Sequence, residues 1–255
     1  ALSVVILIVL IWLYTFRGGI KTIIWTDALQ TILFLVAAGV TVFYIGRELD
    51  LSFSGLVQEI GNSQYFRVFE FEDWKSPQHF SKQFFSGIFI TIVMTGLDQD
   101  MMQKNLSCRN LKEARKNVLS YGFAFIPVNF LFLSLGVVLI LFMKQEGIEM
   151  PERADDIFPI VATGDYLPWP VGVLFFLGLM GAAFSSADSA LTSLTTSLSV
   201  DVLDISKHSE KRSQKIRMIV HLGFAVIVGL VIIVFRVLGE DSIIDTVYTL
   251  AGYTY

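Results

Sequence analysis

Apolar stretches about as long as a helix needs to cross a bilayer recur along this chain of 255 residues. A hydrocarbon core of ~30 Å takes about 20 helical residues. Such stretches fall at 20–46, 84–103, 117–143, 171–200 and 216–238, with partial ones at 1–16 and 242–255. No backbone crosses lipid with its polar groups unpaired, so each must be a helix or part of a closed barrel. Their length and continuity exclude a barrel, whose strands are short and alternate in polarity. Composition agrees: 54% of residues are hydrophobic and 16% charged, with mean hydropathy +0.64, against about 25% charged in an ordinary soluble domain. The expectation is a single all-α integral membrane domain over 1–255.

Loop charge orients it. Residues 17–21 carry Arg17 and Lys21, residues 104–116 carry five basic residues against Glu113, and residues 201–217 five against three. The alternate segments 47–83, 144–165 and 236–245 are net acidic. Excess Lys and Arg marks the cytoplasmic side, so the partial span 1–16 runs outside to inside and each later span reverses the one before. Nineteen of the 23 acidic residues lie in these loops; the others are Asp27, Asp98, Asp100 and Asp188. Asp98 and Asp100, close to Lys104, read as interfacial carboxylates. Asp27 and Asp188 have no basic residue within any span to pair with them, so a cation, a proton or water must neutralise them.

Asp188 sits in the segment Gly181-Ala-Ala-Phe-Ser-Ser-Ala-Asp-Ser-Ala-Leu-Thr-Ser193. At about 100° per residue, Ser185, Ser189, Thr192 and Thr196 share one stripe with Asp188 on its flank. Small hydroxylated residues also let membrane helices pack closely. A carboxylate among them favours an ion site, since hard oxygen ligands suit a small hard cation. Elsewhere, Tyr65–Trp74 alternates aromatics with charges; lining of a substrate entrance is one reading, and an interfacial hairpin or surface helix is the favoured one. Pro168-Trp-Pro170 reads as a helix start, and Pro127 with Asn129 as a kink. Cys108 permits no intrachain disulfide. No phosphate-binding loop, nucleic-acid motif or metal-finger spacing is present, and no nucleophile–base pair suggests an enzyme.

Three blocks carry a family likeness: Gly18-Gly-Ile-Lys-Thr-Ile-Ile-Trp-Thr-Asp-Ala-Leu-Gln30, Gly96-Leu-Asp-Gln-Asp-Met-Met-Gln-Lys104 with Lys112-Glu-Ala-Arg115, and the 181–201 segment. The chain resembles the sodium:solute symporter family. The resemblance implies part of a LeuT-type inverted-repeat bundle, from core helix four to the start of core helix ten, with ligands near the midplane. It implies a sodium site whose ligands here are the Ala182 carbonyl, Ser185 and Ser186, completed by helix-one residues that do not lie in this stretch. Asp27 corresponds to an aspartate on the sodium route or in a second site, and Asp188 and Ser189 to hydroxyl positions of that second site. Asp188 thus puts a carboxylate where a hydroxyl is expected. The resemblance also implies substrate contacts around Thr91, Met94 and Thr95, and around Thr249. Met94 and Thr95 offer less stacking surface than an aromatic pair, so a galactose-like sugar is not favoured.

The chain starts inside an apolar run without an initiator Met and stops inside another, which reads as an internal fragment of a longer protein. The expected function is sodium-coupled symport of a small solute in a bacterial inner membrane. Its partners are sodium, the solute, the bilayer and the same protein's N-terminal helices, with no other cofactor and no nucleic acid. Three alternatives stay open: proton coupling through Asp188 or Asp27, a transporter-like sensing domain of a signalling protein, and an intramembrane aspartyl hydrolase.

Overall fold

The computed structural model describes residues 2–66 and 69–238; Thr249 and the 242–255 stretch lie outside the described residues. Among those residues the architecture is helical with no strand. The long elements are α1 (Leu2–Glu48), α2 (Phe53–Asn62), α3 (Phe80–Gly96), α4 (Gln99–Leu106), α5 (Leu111–Gln145), α6 (Ile157–Thr163), α7 (Trp169–Thr196) and α8 (Glu210–Leu238). Among the described residues, four segments are long and apolar enough to cross a membrane: Ile24–Glu48, Leu111–Gln145, Trp169–Val202 and Glu210–Val234; α3 and α4 make a fifth if the pair is one span.

Helix boundaries follow local chemistry. The apolar run at 84–103 is not one helix, because α3 ends at Gly96 and Asp98 starts α4 by accepting a hydrogen bond from Met101 N at 2.9 Å. An aspartate N-cap satisfies one of the four orphan amides of a helix start. At α5, Asn110 accepts from Glu113 N at 2.9 Å while Glu113 accepts from Arg109 N at 3.3 Å, a variant of the reciprocal capping box. The helix continues through Pro127 without a break in assignment. The segment at 69–79 forms turns rather than a hairpin or helix, with Phe71 against Phe80 and Trp74 edge-on to His79.

Contacts divide the described residues into two compact units. One comprises residues 33–66, 69–97 and 115–178. Its core is built from Ala38, Ile45, Val138, Phe142, Met143, Val161 and Val171, and the amphipathic α2 adds Leu56 and Ile60, one turn apart.

The other unit comprises residues 2–32, 98–114 and 179–238. Its apolar cluster joins Ile11 to Leu191 and Ala225, with Trp12, Phe184, Ala187, Phe224 and Val228 packed around it. Backbone 17–21, expected as a loop, is helical, so α1 runs 47 residues. This one helix carries both Ile11, in the cluster with Leu191 and Ala225, and Asp27, which bonds Ser185 of α7. At its far end α7 widens into a π-helical turn, Ser197–Val202, before Asp204 takes a left-handed conformation (φ 47°).

Candidate functional site

The site lies within the second unit, where α1, α4 and α7 bring polar side chains together. Gly181 makes the approach possible. A Cβ placed there would lie 3.2 Å from Cβ and Cγ of Gln30, tighter than van der Waals contact between carbons. One turn along α7 from Gly181, the Ser185 hydroxyl donates to Asp27 Oδ1 at 2.6 Å.

That bond fixes the hydroxyl's role. A serine hydroxyl has one proton and two lone pairs. With the proton directed at Asp27, the lone pairs of Ser185 are free for a donor or a cation. Bonds to an ionised acceptor are the short, strong ones. Asp27 thus fixes the orientation of the Ser185 hydroxyl.

The second oxygen of Asp27 has a partner that the sequence reading did not supply. Lys104 Nζ lies 2.9 Å from Asp27 Oδ2 as an ion pair, and it donates to Asp100 Oδ2 at 2.8 Å and to Ser189 Oγ at 3.2 Å. The expectation that no basic residue neutralises Asp27 is therefore corrected. Lys104 counts as loop charge in the sequence, but it occupies the last turn of α4 and reaches back into the unit. The Asp100–Lys104 spacing of four residues was the available signal, since such pairs share a helix face. Lys104 and Asp27 are only partly screened from solvent, at 27% and 17% side-chain exposure.

Along the same stripe, Asp188 and Ser189 are buried and Ser193 donates to Ser189 O at 2.8 Å. Ser186 is exposed and Ala182 half-buried, one turn apart on α7. Thr192 Oγ1 and Ser199 Oγ are buried without a hydrogen-bond partner. Deeper along α7, Thr195 Oγ1 meets His221 Nδ1 of α8 at 3.0 Å. Asp98, as the cap of α4, serves structure rather than a ligand site.

The expected substrate positions belong to the other unit. Thr91, Met94 and Thr95 occupy the last turns of α3 in the other unit; Thr91 is exposed and donates to Gly87 O at 2.7 Å, and Met94 is exposed. Among the described residues no group of three or more His, Cys, Asp and Glu side chains is disposed to hold a metal ion. The site's oxygen donors are instead hydroxyls, carbonyls and single carboxylates.

Comparison with known proteins places this helical unit in context. A model of the sodium:solute symporter family matches residues 1–254. The chain is 27% identical over 231 residues to the sodium/sialic acid symporter NanT of Aliivibrio fischeri, covering 85% of this chain and 44% of that protein. It is 26% identical over 234 residues to the sodium/sialic acid symporter SiaT of Proteus mirabilis, covering 84% and 45%. It is 30% identical over 219 residues to the sodium-dependent multivitamin transporter of Oryctolagus cuniculus, covering 79% and 32%. A solved structure of the substrate-bound, outward-open state of a Na+-coupled sialic acid symporter superposes with TM-score 0.78 at 21% identity, over 93% of this chain and 51% of that chain. That likeness establishes a shared fold. The chain spans at most about half the length of these relatives.

Proposed function

The chain belongs to the sodium:solute symporter family, and from that premise we propose that it forms part of a secondary transporter that couples sodium entry to uptake of a small organic solute. The protein is an integral, multi-pass membrane protein, and the proposed setting is a bacterial inner membrane. The observation that carries the reading is the 2.6 Å bond from Ser185 to Asp27. It turns the Ser185 lone pairs away from the carboxylate, so that with the Ala182 carbonyl and the Ser186 hydroxyl one turn of α7 offers three neutral oxygens. Neutral oxygens suit a monovalent ion that must bind and then leave.

Coupling follows from where the binding energy goes. Sodium shifts a conformational equilibrium only by its differential affinity for the two states. Fixing one turn of α7 against Asp27 on α1 is the local event through which the ion would stabilise the substrate-competent state. For the solute, two relatives are named for sialic acid, and this acidic sugar is the first candidate. Thr91, Met94, Thr95 and Thr249 are the proposed contacts.

The test is uptake of labelled sialic acid by proteoliposomes holding the full-length protein, with sodium varied outside. Sodium should stimulate uptake, and Ser185→Ala and Ser186→Ala should each lose that stimulation. Unchanged sodium dependence in both variants would refute the site. A further reading, supported by the burial of Asp188 at 1% exposure, makes this carboxyl the carrier of a coupled proton. Uptake driven by a pH gradient without sodium, and abolished in Asp188→Asn, would establish that reading instead.

A further inference from the structure

We infer that the start of α8 holds the headgroup of an anionic phospholipid between Lys211, Arg212 and Lys215, with the acyl chains along an apolar stripe of the same helix. At about 100° per residue, Lys211, Lys215, Met218, Leu222 and Val226 fall within an arc of roughly 80°, with Arg212 at its border. All six side chains are exposed. The other side of α8 is packed. His221 meets Thr195 of α7 at 3.0 Å, and Phe224 and Val228 lie against the cluster of Ile11, Leu191 and Ala225. Ser213 Oγ donates to Ile205 O at 2.7 Å and holds the first turns in place. These contacts turn the stripe outward, and the three cations stand at the headgroup end of the span Glu210–Val234.

Charge says what the face takes. Like charges three and four residues apart repel one another on a helix, and the partial positive charge of a helix start adds to the cost. Among the described residues none of the three has an ion pair. Asp204 is engaged by Lys207. Glu210 lies about 100° from Lys211, on the side away from Arg212. An anion would relieve the repulsion, and both Arg and Lys bind phosphate. Basic side chains just cytoplasmic of a membrane helix attract anionic lipid. A free phosphate would use the cations alone, whereas a lipid uses the cations and the apolar stripe together. The occupant is therefore the lipid. Neither sodium nor the solute enters this inference.

The test titrates purified full-length protein in detergent with phosphatidylglycerol or phosphatidylcholine and follows bound lipid by native mass spectrometry. Wild-type protein should hold phosphatidylglycerol the more tightly. Lys215→Gln should weaken it roughly fivefold, the effect of one basic residue near a membrane surface. Lys211→Gln, Arg212→Gln and Lys215→Gln together should bring it to the level of phosphatidylcholine. Arg217→Gln removes an exposed charge two residues from Lys215 but about 160° round the helix, and should bind as wild type does.

Equal losses in Arg217→Gln and Lys215→Gln would show attraction by net charge alone and overturn the site. Equal binding of the two lipids by wild-type protein, or unchanged phosphatidylglycerol binding in the triple variant, would overturn it as well. Displacement of phosphatidylglycerol by inorganic phosphate would refute the lipid as occupant. All variants should melt as wild type in lipid-free detergent; a lowered midpoint would mean that protein covers this face and would also overturn the inference.

Discussion

Asp27→Asn isolates the role of a carboxylate that acts through its neighbour. The amide is nearly isosteric, but it removes the charge that draws the Ser185 proton at 2.6 Å and half of the carboxylate pair around Lys104. A hydrogen bond to a charged group contributes about 1.5–3 kcal/mol net. Asp27 is 17% exposed, so the lower part of that range, about 1.5–2 kcal/mol, is appropriate for a partly solvated pair. At 1.36 kcal/mol per decade this is roughly a 10- to 30-fold loss of sodium affinity, within the ~10–100-fold seen when a group behind a metal ligand is removed. The assay is sodium titration of the rise in thermal midpoint of the full-length protein in detergent, which needs no knowledge of the solute. Because Asp27 acts by orienting Ser185, adding Asp27→Asn to Ser185→Ala should have little further effect, with a coupling energy near the single-mutant loss. Coupling below about 0.5 kcal/mol is the signature of independent sites and would refute the orienting role. An unchanged affinity in Asp27→Asn would refute any link between this carboxylate and sodium.

Other expectations test the packing around the site. Gly181→Val places atoms against Gln30 and should destabilise by about 1–3 kcal/mol as overpacking does, weakening sodium binding by displacing Ser185 from Asp27; Gly223→Ala, with nothing within 4 Å of its new methyl, should be neutral in the same melting assay. Thr195→Val leaves His221 Nδ1 without its 3.0 Å partner and should cost about 1–3 kcal/mol of stability, the penalty for an unsatisfied buried group, read from the detergent melting midpoint. In the aromatic loop region, Lys144 donates to Tyr65 Oη at 3.0 Å and, with Gln64, holds the phenol below its usual range. The lysine favours the ionised form, so its effect on stability appears as pH rises through the lowered pKa and is absent near neutrality. Difference titration near 295 nm should show one tyrosine moving to higher pH in Lys144→Met, and no movement would refute the contact.

The helical class was legible because the bilayer imposes a length and a polarity that composition cannot hide. The serine–aspartate stretch of α7 was legible for the same reason, since polar groups stand out against apolar neighbours. Lys104 was not. Its position at the end of an apolar run reads as an interfacial charge, and only tertiary approach of α1 and α7 shows that it turns inward. The break at Leu97–Asp98 was hidden as well, although an aspartate three residues before Met101 is an N-cap signal; apolar periodicity outweighed it. At 17–21 the charge pattern marks a connection while the backbone stays helical. Arg17 and Lys21 stand four residues apart within one continuous helix, so the charge there marks no break in the backbone.

The inward turn of Lys104 also ties together segments that lie far apart in the chain. Its ammonium holds Asp27 of α1, Asp100 of its own helix and Ser189 of α7. A substitution at residue 104 therefore changes how three helices are joined, and is more than the loss of one surface charge.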